Sequence, residues 1–134
     1  MGEPPPPAAT SLEAFLAGEI DPRRFDHREH VRMAYELLRR HEFFAALERY
    51  VQGLRRLLER IDRPEVFHAT VTLGYLSLIA ERLATGPSGS FEEFLARHPE
   101  LLQAPLLQWY APERLHSEAA RRLFVMPVPC GGAR

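Results

Sequence analysis

Lysine and asparagine are absent from this chain, and cysteine occurs once, at Cys130. A single thiol forms no internal disulfide, so a reducing, cytoplasmic setting is the expectation. No apolar run approaches the roughly 20 residues that span a bilayer, and no membrane partner is expected. The N-terminus carries neither the basic segment nor the apolar core of a secretory signal. Every one of the 17 basic residues is arginine, set against 18 acidic ones for a net charge of −1. With no basic excess, no nucleic-acid partner is expected. The all-arginine usage reads as codon bias, although arginine does favour bidentate carboxylate pairs. Motifs of nucleophilic, phosphate-binding and protease chemistry are missing too: G-x-S-x-G, a phosphate-cradling glycine loop, C-x-x-C and H-E-x-x-H. Nor is there any strand-like alternation.

What remains is helical pattern. The 134 residues are 46% hydrophobic, enough for a core without disulfides. The expected layout is a disordered Pro-rich arm over 1–9, a single helical domain over 10–126 and a flexible tail over 127–134. The fold class is all-α. Three long helices, at about 27–40, 43–60 and 64–84, form a small bundle with short N- and C-terminal helices around it.

Capping residues punctuate the pattern. Thr10, with Glu13 three residues on, is expected to cap a short helix that Gly18 ends. Asp26 with Glu29 starts the next. The helix at 43–60 gathers Phe43, Ala46, Leu47, Tyr50, Leu54 and Leu57 on one face, with Glu48, Arg49, Gln52, Arg55, Arg56 and Glu59 opposite. Pro64 suits a first helical position and opens the third helix. That helix is apolar almost all round and is therefore expected to be central. Ser90 with Glu93, and later Ser117, cap short helices near the end. Val125 onward reads as a loose tail.

The anomaly lies in the stretch DHREHVRMAYELLRRH, Asp26–His41. Its apolar face, carrying Val31, Ala34, Leu37 and Leu38, also carries His27, His30 and His41. His27 and His30 are one turn apart. With short links the first and third long helices run parallel, and a helix starting at Pro64 puts His68 about 7 Å up, against about 6 Å for His30. Glu65 and His68, three residues apart, then share a helix face. The sequence thus predicts a metal site of His27, His30 and His68. Glu65 is its fourth ligand or general base. Three imidazoles with a carboxylate suit a divalent transition metal: zinc, iron, nickel or copper. The bland reading of each histidine is a hydrogen-bonded core or cap residue. His41 reads as a partner of the helix C-terminus, and His98 and His116 as loop or cap residues.

Three segments together resemble a family of small, functionally uncharacterised all-helical bacterial proteins. Phe25-Asp26-His27-Arg28-Glu29-His30-Val31-Arg32-Met33-Ala34 is similar to its F-x-H-x-x-H-hydrophobic-x-x-A opening. Phe67-His68-Ala69-Thr70-Val71-Thr72 is similar to its Y/F-H-E-T-x-T start. Trp109-Tyr110-Ala111-Pro112-Glu113-Arg114-Leu115, with Phe124-Val125 and Pro127, is similar to its Y-S-P-E-R-L and F-V-x-P ending. The resemblance implies the helical fold and a site at the histidines, not a reaction. The chain departs from it at Ala69, where the family pattern has glutamate.

Two functions follow. One is a metal-dependent protein, an enzyme on a small-molecule substrate if the metal keeps an open position. The other is a non-enzymatic helical module that binds a protein partner, its histidines being structural.

Overall fold

The computed structural model describes residues 11–86 and 89–128. The expected Pro-rich arm over 1–9, the Thr10 cap, the tail from 129 and Cys130 lie outside the described residues. Among those described there are seven α-helices, several 3₁₀ turns and no strand. The long helices are α2 (His27–Arg40), α3 (Phe43–Arg60) and α4 (Ala69–Leu83). The short ones are α1 (Leu12–Ala17), α5 (Phe91–Arg97), α6 (Pro112–Leu115) and α7 (Glu118–Arg122). The chain is all-α, as its periodicity predicts. No described helix is long and apolar enough to cross a membrane. The chain divides between Glu65 and Val66 into two compact units.

In the first unit, α1 and α2 both pack on α3. Ser11 caps α1, its side chain accepting from the Ala14 amide at 3.1 Å. Gly18 ends it in the left-handed region at φ 74°, a conformation glycine adopts without strain. A turn of α3 comes so close that a Cβ on Gly18 would lie 2.7 Å from the Arg56 Cβ. The carbonyls at and beyond the end of α1 are met from α3. The Arg56 guanidinium donates to the Leu16 oxygen at 2.6 Å, and Arg60 donates to the oxygens of Gly18 and Ile20. Without such donors these terminal carbonyls would depend on water alone. Phe15 is fully buried, 5.5 Å centroid to centroid from Phe25 and 5.8 Å from Tyr50. It lies over Gly53 of α3, whose missing side chain makes the room.

In the second unit, α4 packs against α7 and against the 3₁₀ turn Pro105–Gln108. Helix α5 packs against the turn Pro99–Leu102. Ser90 and Glu93 form both halves of a capping box on α5. Arg82 of α4 pairs with Glu100 at 3.0 Å. Leu76, Ile79, Phe94 and Leu101 are wholly buried.

The third long helix begins five residues later than Pro64 predicts. Pro64–Val66 is a separate 3₁₀ turn, and His68 is the N-cap of α4. The reason is a cap of a type rarely used: the His68 imidazole offers Nδ1 to the Val71 amide at 3.1 Å. Imidazole is not among the common capping groups, so the sequence pattern gives no warning of it.

Candidate functional site

The predicted metal residues are placed as follows. His27 is the first residue of α2 and is exposed; His30 is one turn further and partly buried. The helix itself starts as expected, the Asp26 carboxylate accepting from the Glu29 amide at 3.0 Å. Glu29 does not reach back to complete a box. Its carboxylate instead takes the Arg32 Nε at 2.9 Å and Nη2 at 2.6 Å. The His30 ring lies 4.1 Å from the Phe25 ring centroid, tilted by 30°. Loss of water around His30, reinforced by the nearby His27 and partly offset by Asp26, lowers its pKa to about 4. It is therefore neutral at pH 7.

Glu65 and His68 do not share a helix face. This corrects the expected i, i+3 pair, and the cause is the break between the turn at Pro64–Val66 and α4. Glu65 is exposed and accepts from the Arg63 Nε at 2.9 Å. The matched heights of His30 and His68, which assumed a helix starting at Pro64, lose their basis too. At His68 both ring nitrogens are used. Nδ1 accepts from the Val71 amide, so Nε2 carries the proton, and it lies 2.8 Å from the Leu115 oxygen. A ligand nitrogen must offer a free lone pair to the metal. In this arrangement His68 has none to offer. Among the described residues, no group of three or more His, Cys, Asp or Glu side chains is placed to hold a metal ion. His41, His98 and His116 are the C-caps of α2, α5 and α6.

What the second unit does assemble is a network the pattern of histidines does not point to. Residues 123–128 follow α7 as a strap with no assigned helix or strand. The Thr70 hydroxyl donates to the Leu123 oxygen at 2.6 Å and accepts from the Val125 amide at 3.0 Å. The Tyr110 hydroxyl donates to the Val125 oxygen at 2.7 Å. The Arg114 guanidinium donates twice to the Met126 oxygen, at 3.0 and 2.6 Å. Val125 packs on the apolar cluster of Leu106, Tyr110 and Leu115, with Val71 and Tyr75 beside it. Burial raises the pKa of both Tyr75 and Tyr110, against Arg114 in the second case. The strap is thus docked at Val125 and Met126, where a loose tail is expected from sequence.

Val125 faces in, while Phe124, Met126 and Val128 face out at 42, 66 and 57% exposure, next to Leu123 at 63%. The strap therefore displays an uncharged apolar ridge. Its back is pinned by side chains from α4, α6 and the turn before α6. Residues from three separate stretches, Thr70, Tyr110 with Arg114, and Leu123–Met126, meet in this network. Thr70, Tyr110 and Arg114, which no local pattern singles out, are the backbone's partners.

No family model, curated protein or solved structure matches this chain.

Proposed function

We propose that this chain is a non-enzymatic helical interaction module that binds a protein partner through the strap at 123–128, its histidines serving structure. The observation that carries this is the outward ridge of Leu123, Phe124, Met126 and Val128 on a backbone fixed by Thr70, Tyr110 and Arg114. Apolar side chains held out on an anchored backbone lose little freedom when covered, which favours association. The partner this fits is a protein presenting an apolar surface. His68 supports the same reading, because its two nitrogens are spent on the α4 cap and on the α6 end.

The test is partner binding by the full chain, with and without a chelator, for the parent and for F124S/M126S. Binding that survives chelation and falls with the double variant is expected. Binding that is lost on chelation, or that the double variant retains in full, would contradict the proposal.

A second reading keeps the metal, with His27, His30 and His68 as ligands and Glu65 as base. One observation favours it: His27 and His30 stand close enough that His27 disfavours charging of His30. It requires His68 to give up a helix cap, and Glu65 to leave Arg63. Elemental analysis of untagged protein separates the readings: about one metal per chain, lost in H30A and H68A, belongs to the metal reading alone.

A further inference from the structure

The apolar ridge on the strap has charged neighbours of one prevailing sign. Residues 123–128 carry no charge, while the stretch before them, Glu113–Arg122, holds three arginines and two glutamates in a chain whose balance is −1. Glu118 is shared between two of the arginines. Arg121 donates to its carboxylate, and the Arg122 Nη1 stands 3.9 Å from the same Oε2. The Arg122 side chain is 70% exposed and directly precedes Leu123. Arg114 is exposed too. Its Nε and Nη2 donate to the Met126 backbone oxygen, and no carboxylate among the described residues pairs with it. The ridge is therefore flanked by two exposed guanidiniums without a full counter-charge, Arg122 at Leu123 and Arg114 at Met126.

From this we infer that the segment covering the ridge is an acidic peptide segment of the partner, with apolar side chains on the ridge and carboxylates on Arg122 and Arg114. The inference rests on the proposed reading of the strap as the binding surface, and it names the partner's chemistry. A guanidinium offers a fork of N–H donors that matches a carboxylate. At Arg114 the Nη1 group lies outside the contact with Met126 and keeps donors for such a pair. A basic segment would bring its cations against both guanidiniums, a juxtaposition that selects against it. An anionic lipid surface fits less well. Its charge is diffuse, and attraction to it scales with the number of basic residues near the surface. Here Glu113 and Glu118 lie among the arginines and offset most of their charge. A peptide places each carboxylate singly, on the arginines and away from the glutamates.

The test uses the full chain and two labelled synthetic peptides of equal length and equal leucine and phenylalanine content. One carries glutamate at every second position, the other lysine. Binding is read by fluorescence anisotropy. The glutamate peptide is expected to bind about tenfold more tightly at low salt, the size for two exposed ion pairs set against two repulsions. The ratio should shrink toward one in about 0.5 M salt, where exposed pairs are screened. R122E should shrink it as well, while F124S/M126S should weaken both peptides and leave the ratio in place. Circular dichroism confirms helical content in each variant. Should R122E fail to fold, R122Q removes the charge without reversing it and takes its place. Vesicles of phosphatidylglycerol and of phosphatidylcholine form the lipid arm.

A lysine peptide that binds as well as the glutamate peptide overturns the inference, and so does a chain that binds neither. A preference for glutamate that R122E leaves unchanged overturns Arg122 as its source. Binding to phosphatidylglycerol vesicles in place of the glutamate peptide assigns the ridge to a lipid surface and overturns the acidic segment. Failure here leaves the broader reading standing if F124S/M126S still abolishes binding of both peptides or of a protein partner. If that variant changes no binding at all, the reading of the ridge fails as well.

Discussion

Replacing His68 with alanine removes two interactions at once. The first is the N-cap of α4, the Nδ1 acceptor 3.1 Å from the Val71 amide. Capping groups lost to alanine cost about 0.5–2 kcal/mol. The second is the Nε2 hydrogen bond to the Leu115 oxygen at 2.8 Å, worth about 1 kcal/mol. The ring is only partly buried, so water recovers some of each, and the sum is about 2 kcal/mol. For a chain of this size that is about 6 °C in melting temperature. H68D separates the contributions. An aspartate restores a capping oxygen at the same position but supplies no donor for Leu115, so it should lose about 1 kcal/mol. Both variants are to be melted in chelator and again with added zinc. If His68 is structural, the losses are the same in both buffers. If H68A in chelator matches the parent within about 0.5 kcal/mol, and differs only when zinc is present, the capping argument is wrong and the histidine serves a metal.

Other consequences are independent of that one. His30 is held at about 4 in the folded chain against 6.5 in the unfolded one, so the unfolded state binds more protons between those values. Stability from this group is full above pH 6.5 and declines as pH falls toward 4, by at most about 3 kcal/mol; urea midpoints of the parent and H30Q across this range should converge in acid, and a parent that gains on H30Q there would reverse the sign. A Cβ at Gly53 would lie 2.5 Å from the Phe15 Cε2 and 2.6 Å from its Cζ. Phe15 is fully buried and has nowhere to retreat, so G53A should lose about 1–3 kcal/mol to overpacking, less up to about 1 kcal/mol regained in helix propensity. A more stable G53A, measured by denaturant unfolding, would refute that packing. Ala69 is the first residue of α4, where a carboxylate meets the positive end of the helix. A69E should raise stability by about 0.3–1 kcal/mol at low salt, and a loss on thermal unfolding would count against placing the helix start there.

The long elements were legible because each has an uninterrupted helical period. Helices α2 and α3 begin and end where Asp26 and the apolar face of Phe43–Arg60 place them. Ser90 and Ser117 cap as expected. At α1 the cap is Ser11, one residue after the expected Thr10; two hydroxyl residues in a row offer the same chemistry. The start of α4 was not legible. Pro64 gives a valid helix-start signal, and it was spent on a 3₁₀ turn, while an imidazole did the capping. That one displacement also undid the pairing of Glu65 with His68, which depended on both lying in one helix. The strap was invisible for a different reason. It has no periodicity of its own, and its partners are single side chains 12 to 55 residues away in sequence. Local pattern carries no information on such pairings; the tertiary arrangement does. Burial of Met33 and Tyr35 beside Val31, Ala34 and Leu37 likewise extends the buried part of α2 beyond its predicted face.

Whether the histidines serve structure or a metal turns most directly on the ring of His68. A nitrogen-edited proton spectrum of the histidine side chains reads the tautomer and the engagement of each ring nitrogen, first in chelator and then with an equivalent of zinc. The geometry predicts a single tautomer at His68, protonated at Nε2 with Nδ1 an acceptor, and no change on adding zinc. A His68 resonance that moves to a metal-bound position together with His27 and His30 would contradict it.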